Sequence, residues 1–280
     1  MTRRRGTALL RSVAIMLGAL CAALVVLFPV YWIAVSSVKP TRELISPTPT
    51  FWPRQFTGRH FAMLFQASDF TAYLVNSTVV SVCTVGLVLV LSVLGAYSLS
   101  RFRYPGRELF GRLILFTYIF PGMLLLIPMY SVMQEVKLSN TLTGLVVVNV
   151  MLSLPFGVWV LKAFMDSIPF ELEEVSMVDG AGRMQALGHI LLPLVLPGLG
   201  TVAIYTFITS WAEYMFPLIL IVDDGKKTVP LGLAQWMSMY SVEWGAITAG
   251  VIVSVLPTLV LFALVGKSFI RGLTQGAVKG

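Results

Sequence analysis

Charge is what this 280-residue chain has least of. Lys and Arg number 20 and Asp and Glu 13, together 12% of the residues, against 57% apolar. An ordinary soluble domain carries about a quarter charged residues, so a soluble globular protein, a disordered chain and a fibre are all excluded. Cysteine is almost absent: Cys21 and Cys83 both lie in apolar stretches, which indicates neither a disulfide framework nor a metal site. Histidine is limited to His60 and His189, with no HExxH and no GxSxG, so zinc-protease and serine-hydrolase chemistry lack their residues. Gly266-Lys267-Ser268 looks like the end of a phosphate-binding loop, but Leu261 stands where that loop needs its first Gly. No catalytic constellation is left. Any uphill movement must draw its energy from a partner or an ion gradient.

The few charges are spaced by the thickness of a bilayer. Val13 to Val35 is 23 residues without a charge, which as a helix reaches across a hydrocarbon core of about 30 Å. Uncharged intervals recur at Phe70–Ser100, Leu113–Gln134, Leu138–Leu161 and Trp244–Gly266, and a sixth apolar stretch is broken by Glu213 and by Pro193, Pro197 and Pro217. The expectation is an all-α integral membrane chain, one domain of six spans at about 13–36, 71–99, 113–134, 138–162, 190–222 and 244–266. Between and beyond them lie a loop at 166–192, outer loops at 37–69 and 223–243, and a tail at 267–280. Barrel strands are excluded because the runs exceed the roughly 10 residues of a spanning strand and show no alternation.

Lys and Arg fix the orientation. Thirteen of the 20 fall on one side, around Arg3–Arg5, Arg101–Arg112, Lys162 with Arg183, and the C-terminus, which places both termini in the cytoplasm. The net charge of +7 is this bias together with attraction to anionic lipid, and no nucleic-acid partner is expected. The first apolar stretch is longer than a secretory core of about 7–15 residues and ends in Tyr31, Trp32 and Pro40, so it reads as an uncleaved helix.

The inner loop after the fourth span is the most informative segment. Ser167 is expected as N-cap, with Pro169 in the first turn and Glu171, Glu173 and Glu174 where the helix dipole favours acid. Phe170, Met177 and Val178 give an apolar side; Asp179-Gly180 ends the helix, and a second short helix runs from Ala181 to about Leu192. A membrane-surface helix would carry Lys and Arg on its polar face. This acidic one is expected to dock a protein.

The run Glu173-Glu174-Val175-Ser176-Met177-Val178-Asp179-Gly180-Ala181, followed by Ile190-Leu191-Leu192-Pro193, resembles the EAA loop of ABC importer permeases. Nearly the whole chain is similar to the maltose-type carbohydrate permeases of that family, through Asn76-Ser77, Ser100–Arg107, Ile127-Pro128-Met129-Tyr130, Asn140-Thr141 and the ending Gly272–Gly280. Val175 and Ser176 replace the two alanines usual after the motif's Glu, which alters the packing against a partner. The resemblance implies the type I importer permease fold with cytoplasmic coupling helices, in a bacterial inner membrane. Implied partners are a second, different permease subunit, two cytoplasmic ATPase subunits that bind the ATP and Mg, and an extracytoplasmic solute-binding protein. No cofactor is expected on this chain. The implied cargo is a carbohydrate: a sugar, an oligosaccharide or a glycerol-phosphate-like solute. The implied ATPase-coupling set is Glu171, Glu173, Glu174, Asp179, Gly180, Ala181, Ile190, Leu192 and Pro193, with Gly272–Gly280 reaching towards the ATPase. Contact with the binding protein falls to the outer loop that also holds Tyr240, at Leu231, Gly232, Gln235 and Trp236.

Within the spans, Glu213 is the ionisable residue set in an apolar stretch, which is by default a functional position. A straight helix from Ile190 would carry it about 34 Å, to the outer boundary, so a place in the pathway or a subunit contact stands beside simple interfacial exposure. Trp211 and Tyr214 suit either a sugar-stacking surface or an aromatic belt, and Asn76 joins them as a pathway position. The rival reading is an ion-coupled secondary transporter, against which stand the scarce intramembrane carboxylates and the lack of an evident inverted repeat.

Overall fold

The computed structural model describes residues 2–119, 121–237 and 242–277, with side chains described from Ser12 to Gly266 apart from Tyr118 and Val265. Tyr240 and the last three residues of the Gly272–Gly280 segment lie outside these, as do the side chains of that segment. Apart from one bridge, Met237 to Val242, the regular structure described is helical. The helices needed here are α1 (Thr2–Ser37), α2 (Phe70–Arg101), α3 (Arg107–Ile119), α4 (Leu126–Glu135), α5 (Leu142–Asp166) and α6 (Glu171–Val178). They are followed by α7 (183–194), α8 (Leu196–Trp211), α9 (Met215–Leu220), α10 (Val229–Ala234) and α11 (Trp244–Ala277).

Four stretches are continuous, apolar and long enough to cross a membrane: Ser12–Ser37, Phe70–Arg101, Leu142–Asp166 and Trp244–Leu264. The third and fifth expected spans are not single rods. At the third, α3 and the segment that begins at Gly122 meet at 94° just after Pro121. At the fifth, α7 and α8 meet at 77°. Pro193 and Pro197 flank that bend, each without the amide hydrogen a continuing helix needs. Just before it, Leu187–Leu191 is wound as a π-helix, a feature that recurs at functional sites. Counted as bent spans, these pairs bring the total to six. The fourth span is shifted: Leu138–Thr141 is a turn, and Thr141 caps α5 by accepting from Gly144 N at 3.0 Å.

The chain forms two compact units, residues 1–68 with 233–255, and 69–232 with 256–280. In the first, the segment after α1 is organised by a buried lysine. Lys39 is 2% exposed, donates to Thr50 O and lies 4.7 Å over the Trp32 ring. His60 Nε2 pairs with Lys39 O at 2.8 Å, and Gly245 leaves room for the imidazole. A hydrogen bond from Thr50 holds the Glu43 carboxyl below the usual carboxylate range.

In the second unit, α2 and α5 run parallel and in contact. Ser92 meets Gly157, Gly95 meets Val158 and Ser100 bonds Asp166, so both indices rise together. A Cβ on Gly157 would sit 2.2 Å from Ser92 Oγ and 3.2 Å from Val202 of α8, and one on Gly198 would sit 2.7 Å from Phe164. Small residues let three backbones approach where no hydrophobic force drives helices together.

Candidate functional site: the loop after the fourth span

α6 follows α5 after a short turn. Ser167 does not cap it: its hydroxyl donates to Phe164 O at 2.7 Å, closing α5 instead, and α6 starts beyond Pro169 with no side-chain cap. Its other end is a Schellman motif. Gly180 N donates to Met177 O at 3.1 Å, Ala181 N donates to Ser176 O at 3.0 Å, and Gly180 takes φ +91. A glycine is favoured there because a side chain is strained at that φ. The chain then enters α7, whose first turn is held by Gly182 N donating to Gln185 Oε1 at 2.8 Å.

One face of α6 looks outward. Glu171, Glu174, Val175 and Val178 follow helical spacing and are exposed, Val178 at 86%. With Leu172 and Asp179 they make an apolar patch rimmed by carboxylates, beside a cleft of about 370 Å³ that Asp179, Gly180, Ala181 and Ile190 help to line. Met177 is half-buried, so the apolar side expected at Phe170, Met177 and Val178 is displaced to Leu172, Val175 and Val178. Ile190 and Leu192 are half-buried and Pro193 is exposed.

Glu173 stands apart from its neighbours. It is 1% exposed and paired with Arg101 Nε at the end of α2. The same guanidinium donates to Ile168 O at 3.0 Å and lies 5.9 Å from the Phe170 ring. Beside it, Ser100 Oγ and Lys162 Nζ both reach Asp166 at 2.5 Å. Arg183 at the head of α7 lies 4.8 Å over Phe102, while Tyr97 OH donates to its carbonyl at 3.4 Å. The loop is therefore bolted to α2 through one buried charge pair. Glu173 was expected among the surface coupling residues; helical geometry turns it about 100° from each neighbour, towards α2. Arg101 carried no sequence signal beyond its place in a basic run, because its partner is 72 residues away.

The residues expected along the pathway make capping and packing contacts. Glu213 sits at the break between α8 and α9, half-buried, and Oε1 accepts from Phe216 N at 3.1 Å. It satisfies a free amide at the start of α9, where the dipole favours negative charge. Trp211 is 7% exposed and stacked on Phe207 with centroids 5.5 Å apart; Tyr214 is half-buried against the core. Asn76 Nδ2 donates to Gly225 O and Lys227 O at 2.8 and 3.0 Å, and Ser77 Oγ accepts from Val229 N at 2.8 Å. These two residues pin the 225–229 segment to α2. Asn140, at φ +54, donates to Leu220 O and accepts from Val222 N and Asp223 N, clamping the same loop from the other side. The Lys226 ammonium and the Gly225 N–H hold the Asp223 carboxyl below its ordinary value.

Leu231 and Gly232, expected at the outer surface, are buried in α10; a Cβ on Gly232 would fall 2.2 Å from the Tyr73 ring. Gln235 is exposed and Trp236 half-buried. Because a glutamine Oε1 can accept the Phe216 N–H as the carboxylate does, Glu213→Gln is expected to leave thermal stability within about 1 kcal/mol, the size of the dipole interaction it gives up, and Glu213→Ala to cost about 0.5–2 kcal/mol. Thermal unfolding in detergent measures both, and equal losses would sink the capping role.

Residues 89–268 match the family described as the binding-protein-dependent transport system inner membrane component. The diacetylchitobiose uptake system permease protein DasC of Streptomyces coelicolor is 36% identical over 90% of this chain and 92% of its own. The trehalose transport system permease protein SugB of Mycobacterium tuberculosis is 32% identical over 91% and 93%. A crystal structure of a bacterial ABC transporter involved in the import of the acidic polysaccharide alginate superposes with a TM-score of 0.79 at 24% identity, covering 91% of this chain and 94% of that one. The chain accordingly belongs to the binding-protein-dependent inner-membrane components, the multi-pass permease subunits of ABC importers, and is a transporter subunit rather than an enzyme.

Proposed function

We propose that this subunit forms half of the alternating-access pathway of a carbohydrate importer, and that α6 and α7 couple it to a cytoplasmic ATPase that binds the ATP and Mg. The observation that carries the coupling is the outward face of α6: apolar Val175 and Val178 between Glu171, Glu174 and Asp179, on a helix that ends in a glycine-dependent turn. A partner groove with an apolar floor and basic rim complements it. The wider assembly is a second, non-identical permease, two ATPase subunits and an extracytoplasmic binding protein, with both termini cytoplasmic. The outer loop, through Gln235 and Trp236, meets the binding protein. The names of the diacetylchitobiose and trehalose relatives support a di- or oligosaccharide as cargo.

Uptake into vesicles tests the energy source. It is expected to require ATP and to survive dissipation of the proton gradient; the reverse pattern would establish the ion-coupled alternative. Two variants test the docking face. Gly180→Pro cannot reach φ +91, and Glu174→Lys reverses an exposed charge. Each is expected to lower ATPase recovered with the purified permease by at least about tenfold, with insertion unchanged. Normal recovery with both would refute the assignment.

A further inference from the structure

At the inner end of α2 the chain doubles back into α3 and leaves a cavity of about 620 Å³ with four arginines in its wall, Arg101, Arg103, Arg107 and Arg183, and no carboxylate. Arg101 is neutralised by Glu173. None of the other three makes an ion pair among the described residues. Arg183 stacks on Phe102, Arg107 spends one donor on Phe102 O at 3.1 Å, and Arg103 is exposed. Three guanidiniums with donors to spare around one space suit a phosphate-bearing anion, whose oxygens accept paired N–H bonds.

Arg107 also lines a second cavity, of about 510 Å³, that runs between α3 and α5. Its walls are apolar at Leu99, Ile114, Leu115, Val158 and Trp159. The carboxylates at its rim, Glu108 and Asp166, are matched by Arg112 at 3.4 Å and Lys162 at 2.5 Å. A basic chamber that shares a wall residue with an apolar slot suits a ligand with a charged head and a hydrocarbon tail better than a soluble anion. We propose that this double cavity binds one anionic phospholipid of the inner leaflet, its phosphate among Arg103, Arg107 and Arg183 and an acyl chain in the α3–α5 slot. Basic pockets at the cytoplasmic ends of spanning helices take such headgroups, because the leaflet there is anionic. The proposal rests on the orientation adopted above. A lipid held there braces the α2–α3 turn beside Arg101 and the coupling loop.

Native mass spectrometry of the assembled transporter, released from nanodiscs of equal phosphatidylglycerol and phosphatidylcholine, reads the site directly. Wild type is expected to retain phosphatidylglycerol in excess, and Arg103→Gln with Arg183→Gln to reduce that excess by roughly tenfold. Gly111 lines the slot and has nothing within 4 Å of an added Cβ. Gly111→Leu is therefore expected to fill the slot and lower retention with all arginines intact. Inorganic phosphate added to phosphatidylcholine nanodiscs is expected to leave the Tm unchanged. Equal retention by wild type and the arginine variant, undiminished retention by Gly111→Leu, or a phosphate-induced Tm rise equal to that from phosphatidylglycerol would each overturn the phospholipid assignment. Lipid retention is read without turnover, so a transporter that bound the lipid yet failed in ATP-driven uptake would count against the functional reading alone.

Discussion

Arg101→Ala and Glu173→Ala are each expected to lower ATP-driven uptake by about 100-fold or more, and Arg101→Glu with Glu173→Arg to restore part of it. The pair joins two elements that move as one only if it holds. Arg101 ends α2, Glu173 lies in the first turn of α6, and their side chains are 8% and 1% exposed. Removing one partner strands the other charge out of water, a cost of about 3–5 kcal/mol, which matches a loss of that size in the population of the seated loop. Arg101 also holds Ile168 O and packs on Phe170, so its loss frees the turn that leads into α6. Hydrogen exchange separates this from failed docking: either single variant is expected to raise exchange across 168–178, whereas Glu174→Lys, whose side chain is exposed, leaves it at the wild-type rate. Wild-type exchange in both single variants would show that the loop does not depend on the pair. Recovery in the double variant marks an effect of charge complementarity and not of lost packing volume.

Spacing of charges was enough to locate the apolar stretches, because a bilayer tolerates few charges over about 20 residues. It could not show their shape. An uncharged run measures length, and whether the helix stays straight through Pro121, Pro193 or Pro197 depends on what satisfies the freed carbonyls. That is why Glu213, measured along a straight rod, falls at the outer boundary, open to a place in the pathway, a subunit contact or simple interfacial exposure. The rod ends at Trp211, and the carboxylate caps the next helix. The acidic triplet shows the same limit at finer scale. Glu171, Glu173 and Glu174 are equivalent by composition and by the dipole argument, yet only Glu173 faces α2, and its partner lies in another helix. Gly180 was legible because its role is local: a helix stop and a positive φ are properties of the adjoining backbone. Gly232 was not, since what excludes a side chain there is the Tyr73 ring.

Gly157→Leu is expected to prevent recovery of folded protein, and Gly157→Ala to destabilise it by about 1–3 kcal/mol. The physical reason is that Gly157 is a contact shared by three helices. An added Cβ meets Ser92 Oγ at 2.2 Å, Ser92 Cβ at 3.1 Å and Val202 at 3.2 Å, and neither neighbour has a long side chain to swing aside. A leucine would have to part α2, α5 and α8 together, at the depth where parallel packing of α2 and α5 carries the unit. Ser92 supplies the control. Its hydroxyl is buried and has no hydrogen-bond partner among the described residues, so Ser92→Ala alone is expected to be neutral or mildly stabilising. Combined with Gly157→Ala it removes the nearest obstruction, and Ser92→Gly removes the next as well. The Tm of Gly157→Ala in detergent should therefore be lowest with Ser92 in place, higher when Ser92→Ala is added, and highest with Ser92→Gly. A flat series would mean that Val202, or the helix backbone itself, sets the limit at Gly157. A rising one would show that the two helices are held at the spacing their smallest residues allow.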